Sequence, residues 1–86
     1  MPVDIDDLRR LIVQAAPEPE SARPVLACDN DTILDRVIPF SSVIVLGVVV
    51  AIEDRYGLRV TKDMLARVLV GGVTLRRLAV MIEEHT

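Results

Sequence analysis

Pro39-Phe40-Ser41-Ser42-Val43-Ile44-Val45-Leu46-Gly47-Val48-Val49-Val50-Ala51-Ile52-Glu53-Asp54-Arg55-Tyr56-Gly57 is the stretch whose reading decides the fold. Local rules pull it two ways. Val43 to Val45 and Val48 to Val50 are rich in β-branched residues, which favour a strand. Gly47 weakens a helix by about 1 kcal/mol relative to alanine. Against the strand, the segment is long, Ser41 or Ser42 can cap it, and Phe40 can staple onto its first turn. Leu46, Val49, Val50, Glu53 and Tyr56 keep helical spacing, and Gly57 suits the position just past a helix end. We read residues 42–56 as a helix, with burial of Leu46, Val49 and Val50 expected to override propensity.

Working outward, residues 4–16 form an amphipathic pattern, with Ile5, Leu8, Leu11, Ile12 and Ala15 on one face. Asp4 is a good N-cap, Asp6 and Asp7 suit a positive first turn, and Pro17 stops the helix. Residues 17–40 read as a long loop, because Pro17, Pro19 and Pro24 break regular structure and Asp29-Asn30-Asp31 is turn chemistry. Within it, Thr32 to Val37 can make one helical turn that tucks Ile33, Leu34 and Val37 inward. Such a long irregular segment is either functional or hides an element. Beyond Gly57, Thr61 caps a short helix from Lys62 to Val70 that stops at Gly71-Gly72. Thr74 caps a last helix whose inward face is Leu75, Leu78, Ala79 and Ile82, leaving Arg76, Arg77, Glu83 and Glu84 solvated. The expected fold is all-α: an up-and-down bundle of three main helices plus one short helix, with a long first loop, in a single domain over residues 1–86.

Composition narrows the function classes. A domain of 86 residues buries only about 60–65% of the surface its unfolded chain exposes, so its core must be efficient. Apolar residues make up 51% and aromatics 2%, which makes that core aliphatic. The net charge of −3 and the lack of aromatic platforms argue against nucleic acid as a partner. The apolar run 43–52 is too short to span a bilayer, so no membrane insertion is expected. Cys28 is the sole cysteine, and the N-terminus is acidic without an apolar secretory core; a cytoplasmic location is expected.

The pattern as a whole resembles the acyl carrier protein family and the related peptidyl carrier domains. Ile38-Pro39-Phe40-Ser41-Ser42-Val43 stands where the family has Leu-Gly-x-Asp-Ser-Leu, and Asp31-Thr32-Ile33-Leu34 is similar to its approach to that motif. Ala51-Ile52-Glu53-Asp54-Arg55-Tyr56-Gly57 is similar to the family's Ala-Leu-Glu-Glu-x-Phe-Gly close of the central helix. In that family the motif serine is esterified by 4′-phosphopantetheine, whose thiol carries an acyl or aminoacyl group as a thioester. Counting back from Tyr56, Ser42 falls at the modified serine and Ser41 at the preceding aspartate. The resemblance implies a carrier that catalyses nothing itself, with Ser42 as attachment point and Ser41, Phe40 and Val43 beside the cofactor. It implies as partners a phosphopantetheinyl transferase, an acyl- or aminoacyl-activating ligase and downstream synthases of fatty acid or secondary metabolite biosynthesis. A phosphodiester at a helix N-terminus meets free N–H groups and a favourable dipole, which agrees with the transfer. The chain departs from the family at Pro39, Ser41 and Val43. Ile44 and Gly47 stand where relatives display the acids that partner enzymes read, so docking by apolar contact or weak self-association of a monomer is expected.

Plainer readings stand beside this one. A Ser-Ser pair at a helix start is, by itself, a cap. Cys28 reads as an ordinary loop thiol with no basic residue close in sequence, and His85 lacks a catalytic partner. No metal-ligand cluster or catalytic set is evident. The alternative to a carrier is an unmodified helical interaction protein that uses the apolar central helix as a partner interface. The identity of any cargo is not written in the sequence.

Overall fold

The computed structural model describes residues 3–39 and 42–85, with the backbone only of Ser42. It contains α1 (Ile5–Ala15), α2 (Ser42–Tyr56), α3 (Lys62–Leu69) and α4 (Leu75–Glu84), with 3₁₀ helices at Pro19–Leu26 and Leu34–Arg36 and no strand among the described residues. α1 is the hub: it packs against the first 3₁₀ helix, α2 and α4, while α3 leans on α4.

α1 starts where the aspartates put it. The Asp4 carboxylate accepts from the Asp6 N–H at 2.9 Å, and Asp6 and Asp7 sit in the positive first turn. Leu8 and Ile12 point into the core and are fully buried. Asp7 accepts from Arg55 at 2.9 Å and Arg10 at 3.2 Å, tying the start of α1 to the end of α2. The Arg55 guanidinium, then that of Arg10, holds the Asp7 carboxyl below the usual carboxylate range.

The segment read as a loop is largely structured. Pro19–Leu26 is a 3₁₀ helix that lays Ala22 and Val25, both buried, against α1. Proline misleads here. Its ring breaks an α-helical ladder, but its fixed φ is compatible with a short 3₁₀ run, and Pro19 sits at the first position where no donor is needed. The expected turn at 32–37 is present as Leu34–Arg36, with Leu34 fully buried and Ile33 and Val37 half-buried.

The central segment is helical, as expected from its caps and spacing, but its inward face is a different one. Val48 and Ile52 are buried and Ile44 is half-buried, an i, i+4, i+8 stripe. Leu46 and Val50, expected inside, are 63% and 55% exposed, and Val49 is half-buried. Gly47 explains the rotation. A Cβ built on it would lie 3.0 Å from the Ala15 carbonyl oxygen, so its bare backbone is where the end of α1 comes closest to α2. Ile44 and Gly47 therefore face the fold, and the outward apolar residues are Val43, Leu46 and Val50.

The second half follows its caps. The Thr61 hydroxyl accepts from the Met64 N–H at 3.2 Å, opening α3, which buries Met64 and Val68. The chain turns at Gly71 and Gly72, both at positive φ; Gly72, at +102°, sits under Ile33, whose Cγ2 would be 2.8 Å from an added Cβ. The Thr74 hydroxyl accepts from the Arg77 N–H at 3.1 Å and starts α4. Leu75, Leu78, Ala79 and Ile82 are buried as expected, joined by Met81. Arg77 is not a solvated residue. Its guanidinium donates to the carbonyls of Val70, Gly72 and Arg67, closing the open end of α3.

Candidate functional site

Ser42 opens α2, and the chain leading to it is held from both sides. Arg9 of α1 reaches under the connection and donates to the carbonyls of Val25 (2.9 Å) and Cys28 and to Asn30 Oδ1 (2.6 Å), with its side chain only 12% exposed. The Asn30 carbonyl accepts from the Arg76 N–H at 3.0 Å, and the Leu34 N–H donates to Val73 at 2.8 Å. Arg76 also pairs with Asp31 at 2.6 Å. The Arg9 contacts satisfy part-buried carbonyl groups that would otherwise be costly to leave unpaired, whereas the Arg76–Asp31 pair lies at the surface. Ile38 is buried at the end of this path.

Beside the start of α2 lies a groove of about 300 Å³. Ala16, Pro17, Ala22, Ile38, Pro39 and Ile44 make it mainly apolar, and Glu18 and Ser21 add polar edges. Its contributors come from the end of α1, the first 3₁₀ helix and the first turn of α2. On the outer side, Val43 is 63% exposed and continues through Leu46 and Val50 as an uncovered apolar stripe. α2 carries no acidic residue in its first turn and no charge before Glu53. A second cleft between α2, α3 and α4, walled by Val45, Val49, Val68, Leu69 and Met81 among others, has only about 10 Å³ of free space.

Of the residues singled out from the sequence, Ser42 takes its place as the first residue of α2 and Val43 stands next to it in solvent. Phe40, Ser41 and the Ser42 side chain lie outside the described residues. Cys28, read as having no basic neighbour, has the Arg9 guanidinium 3.7 Å from its sulfur. That contact joins residues 19 positions apart, so no local pattern announces it. Arg9 was legible only as a polar residue flanking the apolar face of α1. Among the described residues, no group of His, Cys, Asp or Glu side chains is arranged to hold a metal ion, and no helix is long and apolar enough to cross a membrane. No family model matches the chain, and no curated protein or solved structure shows significant similarity to it.

Proposed function

We propose that this chain is an acyl carrier protein, a four-helix bundle of that type, which holds an acyl or aminoacyl group on 4′-phosphopantetheine attached at Ser42. The observation that carries the reading is the position of Ser42: first residue of a 15-residue helix, reached by a long connection that α1 and α4 hold in place. The surroundings fit the group. A phosphodiester on Ser42 would stand at the N-terminal, positive end of α2, with no acidic side chain in the first turn to oppose it. The apolar groove beside Ile44 and Pro39 offers cover to an aliphatic or amide-containing arm. When bound, the cofactor supplies a terminal thiol on a flexible tether, so that one cargo reaches several enzymes at high local concentration. The chain's own part is to present that tether; Ser41, Phe40 and Val43 flank it, and the phosphopantetheinyl transferase, activating ligase and synthases supply the chemistry.

The test is loading. Coenzyme A and a broad-specificity phosphopantetheinyl transferase should add one phosphopantetheine by intact mass. Ser42→Ala should abolish the gain and Ser41→Ala should keep it; the reverse pattern overturns the assignment.

A second reading is favoured by the exposure of Val43, Leu46 and Val50: an unmodified helical interaction protein that binds a partner through α2. Purification from the native host separates the two, because only the carrier reading expects a phosphopantetheinylated mass.

A further inference from the structure

We propose that the groove between α3 and α4 is a docking site for an acidic, partly aliphatic segment of a partner protein. It stands apart from the Ser42 end of α2 and does not depend on modification of that serine. The groove has a volume of about 390 Å³. Met64, Val68 and Met81 make its floor, and Val80, 46% exposed, forms an apolar edge. Arg67, Arg76, Arg77 and His85 stand on its walls against a single carboxylate, Glu84.

The charge balance names the occupant. The chain as a whole carries −3, so cations gathered on one groove are a local reversal. They are also unequally neutralised. Arg76 is paired with Asp31. Arg77 gives its N–H groups to three carbonyls, which satisfies its hydrogen bonds and leaves its charge uncompensated. Arg67 meets no carboxylate among the described residues, so its planar fork is open to one. An apolar floor between the open guanidinium of Arg67 and the uncompensated charge of Arg77 suits a segment that alternates carboxylates with aliphatic side chains, lying across the groove as a helix lies on two others. Nucleic acid fits poorly, because the chain carries a net charge of −3 and the basic groups of this groove are confined to a single small patch.

The experiment titrates the isotope-labelled 86-residue chain with a short synthetic helical peptide bearing Glu and Leu at i, i+3 and i+4 spacing. Backbone NMR shifts should move at residues 64–68 and 76–85 and stay still on α2. The dissociation constant should weaken roughly tenfold between about 20 and about 200 mM salt, as partly exposed charge pairing does. Arg67→Glu should weaken binding at least tenfold, and Val80→Gln should weaken it about threefold; both positions are exposed, so the fold is kept, and unchanged spectra elsewhere verify this. The same peptide with Gln for every Glu should not bind. Equal binding of the Gln peptide, insensitivity to Arg67→Glu, shifts on α2 instead, or preference for anionic lipid vesicles over the peptide would each overturn the proposal.

Discussion

α4 and α2 are both rich in aliphatic residues, and they use them in opposite ways. In α4 the apolar residues fall mainly on one face: Leu75, Leu78, Ala79, Met81 and Ile82 are all buried, and Val80 is exposed. Several of its polar groups are occupied too: Thr74 caps it, Arg76 pairs with Asp31 and Arg77 closes α3. In α2 the apolar residues run all round the helix. The fold buries Val48 and Ile52 and leaves Val43, Leu46 and Val50 in water. A helix apolar on every side belongs in the middle of a larger core, and this domain has no such middle to offer. The inward face of α4 is explained by folding alone. The outer half of α2 is not, and its exposed aliphatic surface is what a partner contact of the proposed kind would cover.

The sharpest way to break that contrast is to truncate one residue from each helix. Ile82→Ala removes a fully buried side chain and should cost about 2–5 kcal/mol in urea unfolding, with Ile82→Val as a gentler step of about 0.5–1.5 kcal/mol. Leu46→Ala on the exposed face of α2 should stay within about 0.5 kcal/mol. If Leu46→Ala costs as much as Ile82→Ala, the outer face of α2 is packed after all and the distinction fails.

The same contrast explains what could be read from the sequence. The bounds and main inward face of α4 were legible, because Thr74, the Gly71-Gly72 stop and the spacing of Leu75, Leu78, Ala79 and Ile82 all say one thing; the burial of Met81 and the engagement of Arg77 were not. α2 was legible as a helix but not in its orientation. When every position from Val43 to Ile52 is apolar or glycine, periodicity carries no information about which side faces in. The deciding contact is Gly47 against the Ala15 carbonyl, a long-range fact. The connection was hidden for another reason. Its prolines fit a 3₁₀ helix as well as a loop, and the Arg9 hydrogen bonds that hold it span 16 to 21 residues. The start of α2 at Ser42 could be read from capping logic and register; the groove beside it, built from three separated segments, could not.

Two glycines sharpen the comparison at the next level of effect. Gly72→Ala, in the turn before α4, places a Cβ 2.8 Å from Ile33 Cγ2 at a φ of +102°. It should cost about 1–3 kcal/mol, the range for backbone held in a region side chains avoid. Gly47→Ala, inside α2, has a propensity gain of about 1 kcal/mol in its favour and a 3.0 Å approach to a backbone oxygen against it. Because the opposing atom is backbone at the end of α1 and not the tip of a flexible chain, the net result should be a loss below about 1 kcal/mol. Thermal unfolding of both variants should rank Gly72→Ala as the less stable. A Gly47→Ala protein more stable than the parent would show that α1 and α2 are not closely held there.

The smallest effect is expected at Tyr56, the last residue of α2. Its hydroxyl is buried without a hydrogen-bond partner among the described residues, whereas no buried side-chain polar atom of α4 among them lacks one. Burial pushes the phenol above its ordinary value of 10.0, and the negative charge of Asp7 adds to the push. The sign of the pH effect follows. Above about pH 10 the unfolded chain gives up this proton while the folded chain keeps it, so the contribution is complete below that pH and falls away as pH rises toward the folded-state value. Tyr56→Phe has no proton to lose and should show a flatter decline in stability on the alkaline side. At neutral pH it should be as stable as the parent or slightly more so, since the change removes a buried hydroxyl that has no partner to lose. Urea unfolding at pH 7 and across pH 9–11 measures both parts. An unaltered alkaline limb together with a clear loss at neutral pH would mean that the hydroxyl is bonded through ordered water, and that α2 is as completely satisfied at this end as α4 is.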